Sequence, residues 1–329
     1  MGGSMKFKPL LLATALIGAM VGNASAADII TKAPVKPVDP PFFLFSDWQI
    51  SYWHEFNGAE PAIGRGIHKD IVTLTHFDVW RYGTNFVNID FLKSSNKDPA
   101  APWGGVGFGF PPGTGIGQGA LEVYALYRGT LSWNALSASK AFSFGPVKDL
   151  SFYYGVDANT KNTAFAPQKD LVVAGLQVAF DVPGFFNVAV ALHKEWNHNG
   201  IVPQLQAIGV PCPGACAENV SFKPTVVFET QYMHPLTFTG LPLRFSGFTN
   251  VVLPKGNDGF GFATKTEILT DNRLTLDLGK LAGNKGDLVD VFVGYRYWQN
   301  KFGNNHSLDL TGGSTESTAY LGLALHAPK

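Results

Sequence analysis

Ionisable and aromatic residues recur at every second position in several short segments of this sequence. Glu122, Tyr124 and Arg128 occupy even positions, whereas the neighbouring Leu121 and Val123 occupy odd ones. Successive side chains of a β-strand point to opposite faces, so this spacing predicts one polar face and one apolar face. The polar face could stack a flat solute on an aromatic ring and hydrogen-bond its polar edge.

The same parity in other segments predicts which residues line a polar interior. The sets around Asn187, Arg244 and Asp290 are the clearest, because their apolar partners are unbroken. A register error of one residue would invert any set. We expect the solute path to be lined by Phe248, Trp298, Arg296, Asp290, Glu122, Tyr124, Arg244, Asn250, Glu229 and His193. The alternative is that inward aromatic rings only fill space and inward charges form solvated pairs.

The start of the chain predicts export. Residues 5–26 combine a basic segment, an apolar run and a small-residue cleavage site, which are the features of a secretory signal peptide. We interpret residues 1–4 as a cloning scar or an upstream start, and residues 27–44 as a proline-rich N-terminal tail. A barrel is expected over residues 45–326, followed by a short tail at residues 327–329.

The strand pattern predicts an all-β fold. Alternating segments of about ten residues in an exported chain are typical of a transmembrane antiparallel β-barrel. We expect about 12 strands in a closed barrel with a narrow pore, since an even number closes an antiparallel sheet and this size leaves a tight lumen. Long segments near residues 93–119, 197–220 and 253–261 are expected on the extracellular side. Links at residues 182–184 and 239–242 are expected to be periplasmic turns.

Composition favours the same class. Charged residues make up 15% of the chain and hydrophobic residues 45%, whereas soluble proteins usually carry about 25% charged residues. Aromatic residues at 13% would supply the lipid face and the interfacial girdles. The formal net charge of +0 gives no basis for binding a nucleic-acid polymer. A large secreted β-sandwich is the alternative fold.

The chain contains two cysteines and eight histidines, which are candidate chemical groups. Cys212 and Cys216 lie in a proline- and glycine-rich loop, which in an exported chain predicts one disulfide. A metal site is disfavoured, because no histidine lies next to the thiols. Near His198 there is no serine, and His306 and Ser307 would point apart on a strand. We therefore predict no catalytic site, no metal and no cofactor.

Four short motifs carry a family resemblance. They are residues 45–48 (FSDW), 143–148 (SFGPVK), 246–250 (SGFTN) and 296–298 (RYW). Their sequence and order resemble those of the Tsx-type nucleoside-specific channels of the bacterial outer membrane. The resemblance covers nearly the whole mature chain and implies a twelve-stranded barrel whose narrow pore is lined by aromatic and ionisable residues.

The functional expectation is an outer-membrane channel for passive uptake of small solutes, with nucleosides preferred through weak aromatic and polar sites. The expected partners are nucleosides or similar small solutes and the lipid of the bacterial outer membrane. The expected state is a single monomeric barrel. The alternatives are a less selective porin, or a structural or surface barrel such as a phage receptor or adhesin.

Overall fold

The alternating segments form long antiparallel strands. The computed structural model describes residues 41–100, 118–163, 166–200, 202, 216–283 and 288–328. The strands are β1 (Phe43–Glu60), β2 (Gly64–Trp80), β3 (Gly83–Ser94), β4 (Leu121–Ser132), β5 (Val147–Lys161), β6 (Gln168–Phe180), β7 (Phe185–His198), β8 (Asn219–Ser221), β9 (Thr225–Pro235), β10 (Leu243–Val252), β11 (Glu267–Asp277), β12 (Val289–Gln299) and β13 (Thr315–Pro328).

The named helices of the described residues are single turns between strands. Two α-helical turns span Trp133–Leu136 and Leu278–Leu281, and a side-chain oxygen caps the N-terminus of each. Two 3₁₀ turns span Thr237–Thr239 and Lys301–Gly303. No helix in the described ranges is long and apolar enough to cross a membrane.

The first and last strands close the sheet. Consecutive strands pair antiparallel, β7 pairs with β9, and β13 returns to β1 with Asp47 opposite Pro328. The three-residue β8 pairs with the last residues of β7, so the wall of the barrel consists of twelve strands. The predicted closed antiparallel barrel of about twelve strands is therefore confirmed.

The connections divide between the two ends of the barrel. The start of β1 and the end of β13 lie together at one end, which we call the terminal end. The turns after β6 and β9 lie there too, and Gly184 and Gly240 adopt φ values of 81° and 70° that favour glycine in such turns. The connections after β3, β7 and β10 lie at the opposite end, which we call the loop end.

Outward side chains form an apolar belt around the barrel. In β6 and β7, Val172, Leu176, Val190 and Leu192 are 42%, 52%, 48% and 64% exposed. In water, so large a set would form an unfavourable apolar patch, whereas lipid is a suitable environment for it. The outward parity predicted for β7 agrees with this arrangement.

Inward side chains are polar, charged or aromatic, and many are fully enclosed. Glu195 and Glu316 are each 1% exposed and Lys255 is 2% exposed, and each has an ion-pair partner. Enclosed charges are unfavourable unless they are paired and hydrogen-bonded. The interior is therefore organised by ion pairs, and these pairs determine where a solute could lie.

Candidate functional site in the barrel lumen

The residues predicted to line a solute path lie on the inward side of five strands. They are Glu122 and Tyr124 of β4, His193 of β7, Glu229 of β9, Arg244, Phe248 and Asn250 of β10, and Asp290, Arg296 and Trp298 of β12. They do not form one site. They are distributed among separate clusters between the terminal end and the loop end, and their role on a solute path stays a prediction.

One cluster joins β4, β5 and β9 near the middle of the barrel. The guanidinium of Arg128 contacts the carboxylates of Asp157 and Glu229, with 3.0 Å between Nε and Glu229 Oε2. Tyr153 donates its hydroxyl hydrogen to Glu229, and Tyr124 donates to Asp157. We call Arg128, Asp157, Glu229 and Tyr153 the Arg128 strap. All four side chains are buried.

Small residues on the intervening strands leave room for this strap. The inward positions of β5, β6 and β7 at this level include Gly155, Gly175, Ala189 and Ala191. A Cβ atom on Gly155 would lie 2.6 Å from Cδ of Arg128. Any larger residue at position 155 would displace Arg128. The strap therefore requires glycine at this position.

A second cluster occupies the wall formed by β11, β12 and β13. Arg296 donates to Asp271 at 2.8 Å, and Tyr320 donates its hydroxyl hydrogen to the same carboxylate. The guanidinium of Arg296 lies 5.1 Å from the ring centre of Trp53, and that of Arg273 lies 4.1 Å from the ring centre of Phe292. Ion pairing and cation–π contacts together fix these arginines.

A third cluster lies at the terminal end. Arg244 pairs with Asp290, and His326 contacts Asp290 at 2.9 Å and Asp47 at 2.8 Å. This cluster joins β10 and β12 to β1 and β13, the first and last strands, which meet at the seam of the closed sheet. The predicted residues Arg244 and Asp290 therefore lie together, far along the chain from each other.

Trp298 lies toward the loop end. Its indole Nε1 donates to Glu267 at 2.8 Å, and its ring meets the Phe302 ring edge-on at 4.9 Å between centres. Lys301 lies 4.6 Å above the Trp298 ring and donates to Glu316 at 2.8 Å. The tryptophan is thus held by one hydrogen bond and two ring contacts.

His193 of β7 belongs to a further cluster, which also contains Glu195 and Lys255. Its Nε2 lies 3.1 Å from Glu195 Oε2, and Lys255 donates to that same oxygen at 2.5 Å. Lys255 also lies 4.6 Å from the ring centre of Phe222. Phe248 and Asn250 are half-buried on the inward side of β10.

A cavity of about 190 Å³ lies at the loop end. The rings of Phe222, Phe260 and Phe302 form part of its lining. Of the ten predicted residues, Glu122 lines this cavity. The ionisable lining groups are Glu60, Asp98, Glu122, Lys161, Lys169, His198, Glu218 and Asp258.

Two lysines are held in this cavity by different contacts. Lys161 Nζ lies 2.6 Å from Asp98 and 3.2 Å from Glu60, so its charge is shared between carboxylates. Lys169 Nζ lies 5.5 Å from the ring centre of Phe302 and 5.8 Å from that of Tyr124. The cavity therefore combines aromatic faces, carboxylates and ammonium groups within a small volume.

One carboxyl group of the lining lies in the loop after β10. Burial raises the pKa of Asp258, although backbone N–H groups of Phe260 and Phe262 donate to it at 2.9 Å each and oppose the rise. These bonds also hold the loop in a tight turn around Gly261, whose φ is 85°. Asp258 is thus a hydrogen-bonded, partly enclosed acid at the mouth of the barrel.

The histidines considered for catalysis have amide partners. His198 Nδ1 lies 2.9 Å from Asn219 Oδ1, and His306 Nδ1 lies 2.7 Å from Asn300 Oδ1. No serine hydroxyl is hydrogen-bonded to either ring in the described part of the chain. Cys216 is not a free thiol, whereas Cys212 lies outside the described residues, so the disulfide stays a prediction. Residues 1–40, including the proposed signal peptide, also lie outside them.

Several functional candidates were not found by sequence reasoning. Phe302 and Lys301 lie in a connection without strand periodicity, so parity could not place them. Lys169 could have been placed from the sequence. Strand parity puts it on the inward face at the start of β6, because Asp170 and Val172 are outward. Phe302 also adopts φ 62°, a conformation that bulky residues rarely accept and that no sequence pattern indicates.

No protein-family model matches the chain, and no curated protein matches it. Among solved structures, the translocator domain of autotransporter NalP from Neisseria meningitidis is similar, with TM-score 0.40 and 11% identity over 85% of this chain and 88% of that one. A KdgM porin in complex with disordered oligogalacturonate has TM-score 0.37 and 10% identity over 84% of this chain and 98% of that one. At these values the similarities carry no argument about function.

The strand pairing and the surface of this chain decide its class on their own. A closed antiparallel barrel leaves no unpaired edge, which is a condition for strands to cross a bilayer. The outward belt is apolar and the interior is charged, which is the reverse of a soluble fold. The chain therefore folds as a transmembrane β-barrel of twelve strands.

Proposed function

We propose that this barrel is a channel for passive uptake of small solutes and that nucleosides are its preferred solutes. The cavity at the loop end supports the proposal most directly. It places Phe222, Phe260 and Phe302 beside carboxylates and ammonium groups at the entrance to a polar lumen. A nucleoside has matching chemistry, because it joins a flat base to a sugar rich in hydroxyl groups.

The energies of such contacts suit transport. Stacking of a base on an aromatic side chain is worth about 1–3 kcal/mol, and a channel needs sites that are weak enough to release the solute. The cavity volume of about 190 Å³ is below the range of about 300–1,000 Å³ that accommodates drug-sized ligands. A small solute therefore fits it better than an oligosaccharide.

The conformation of Phe302 adds support. A bulky residue in the left-handed region is strained by about 1–3 kcal/mol, and such strain is retained where the surroundings over-determine the position. Here the Trp298 ring and the Lys301 and Lys169 ammonium groups surround the Phe302 ring. We propose that the rings of Phe302 and Trp298 together form the first stacking position for an entering base.

The predicted lining residues would continue the path inward. Glu122 lines the cavity, and Tyr124 lies one inward position further along β4. On the opposite wall, Trp298 is followed by Arg296 one inward position nearer the terminal end. These residues alternate hydrogen-bonding and stacking groups, as a series of weak sites would require.

The test is solute uptake and channel block with purified protein. Liposomes containing the barrel should swell faster in nucleosides than in sugars of similar size, and adenosine or thymidine should block single-channel current. The variant Phe302→Ala should weaken block about tenfold, which corresponds to about 1.4 kcal/mol. Phe262→Ala, an exposed ring in a loop at the same end, is the control.

Each other outcome identifies an alternative. Equal swelling in nucleosides and sugars, without block, would support a less selective porin. Absence of swelling and conductance in correctly assembled protein would leave a structural or surface barrel. Block that survives Phe302→Ala would keep the nucleoside channel and remove Phe302 from its binding position.

A further inference from the structure

The Arg128 strap connects strands that are not neighbours in the barrel. Between β4 and β9 the sheet order places β5, β6 and β7. Arg128 Nη2 nevertheless lies 3.1 Å from Glu229 Oε1, and Nε lies 3.0 Å from Oε2. This is a two-point contact between a guanidinium and a carboxylate, which is among the most strongly oriented contacts in proteins.

Several inward side chains of the wall under the strap are small. Along the intervening strands, Gly155, Gly175, Ala189 and Ala191 occupy inward positions, and the two alanines are 2% and 3% exposed. The larger inward side chains of this wall, Leu171, Val173 and Val227, are buried against Tyr153. Because Arg128 of β4 reaches Glu229 of β9 past three intervening strands, its side chain spans the lumen side of this wall.

The opposite wall is filled in the same manner. Tyr320, 1% exposed, covers Gly294 and reaches Asp271, while Arg296 and Arg273 stack on aromatic rings. Each of these arginines is held by ring contacts in addition to its polar partners. In the strap, by contrast, the carboxylates of Asp157 and Glu229 orient the guanidinium.

We infer that the Arg128 strap is the constriction that sets the size limit of the channel. This inference rests on the proposed channel function. The strap narrows the lumen with a side chain whose position depends on two ion pairs, so the limit is determined by Asp157 and Glu229 as much as by Arg128.

The most direct test separates the effect of side-chain size at position 128 from the effect of charge in the strap. Removing Arg128 alone would leave two buried carboxylates uncompensated, which destabilises proteins strongly. We would therefore compare two neutral triple variants, Arg128→Ala and Arg128→Met, each combined with Asp157→Asn and Glu229→Gln. The two differ in the length of one side chain and share the same charge.

The alanine triple variant should conduct at least about twofold more than the methionine one, since permeation depends on the narrowest cross-section of the pore. It should also admit larger sugars in liposome swelling. Val156→Ala, on the outward face of β5 beside Asp157, should leave the parent conductance unchanged. Heat-modifiable migration in gels would verify that each barrel is assembled.

Equal conductance and equal size limits in the two triple variants would overturn the inference while the channel function stands. A parent protein that assembles but conducts nothing would overturn the channel function, and the inference with it. If the alanine variant fails to assemble, Glu229→Gln alone serves as the second test. It preserves shape and releases one end of the strap, so it should raise the conductance, and an unchanged value would overturn the inference.

Discussion

His326 of the last strand lies 2.8 Å from Asp47 of the first strand, through Nδ1 and Oδ2. The contact spans the seam where β13 meets β1, and the two residues are 279 positions apart in the chain. The second ring nitrogen of His326 lies 2.9 Å from Asp290. One imidazole therefore links three strands at the terminal end of the barrel.

This relationship predicts a role for His326 in closure. His326→Ala removes two hydrogen bonds to carboxylates from a mostly buried site and should destabilise the barrel by about 1–3 kcal/mol. The temperature at which the folded band is lost in a heat-modifiability assay should fall. His68→Ala, at an exposed position of β2, should leave that temperature unchanged. A stability equal to the parent's would show that strand pairing alone holds the seam.

The aromatic residues predicted to line the path can be tested by removing rings. Phe248→Ala or Trp298→Ala should reduce nucleoside flux at low concentration, because weak binding recruits solute, and should spare or raise small-ion conductance. Val293→Ala, on the outward face of β12, should do neither. Trp298→Phe retains a ring but loses the donor to Glu267, so it separates stacking from hydrogen bonding. Flux unaffected by both alanine variants would remove these residues from the path.

A carboxylate in the connection between β12 and β13 predicts a pH dependence. Burial raises the pKa of Asp309, but hydrogen bonds from Thr311 at 2.6 Å and Ser314 at 2.7 Å outweigh this and hold the pKa below its usual range. A depressed pKa stabilises the folded loop above the unfolded pKa of about 3.9, and the stabilisation is lost as the pH falls through the folded value.

We therefore expect the backbone of residues 309–314 to lose hydrogen-exchange protection below about pH 4, after correction for intrinsic rates. In Asp309→Asn the hydrogen-exchange protection of this loop should be lower at neutral pH. It should not fall further when the pH drops below about 4. Protection in the parent that persists unchanged to well below that pH would show that the loop is held by other contacts.

The cysteine loop predicts an oxidised pair. Protein isolated from the envelope and alkylated without reduction should show no modification at Cys212 or Cys216 by mass spectrometry. Replacing both cysteines by serine should leave the barrel assembled, because strand pairing and not this loop holds the fold. Two alkylated thiols would contradict the prediction.

The period-two pattern by itself determined the class of fold and the facing of most strands. Unbroken apolar positions in β7 and β12 identified the lipid side, and the opposite parity then placed His193 and Asp290 in the interior. This works because a strand has only two faces and lipid tolerates few polar groups on one of them. The even number of strands and the export signal then predicted that the barrel is closed.

The partners inside the lumen were decided by the tertiary structure. Arg128 and Glu229 are separated by 101 residues, and their contact depends on the small residues of three intervening strands. In β1, an irregularity in pairing between Glu55 and Gly58 changes the parity, so that Glu55 and Glu60 are both buried although they are an odd number of positions apart. Strand periodicity cannot predict such a shift, because a bulge adds a residue without changing the pattern on either side of it.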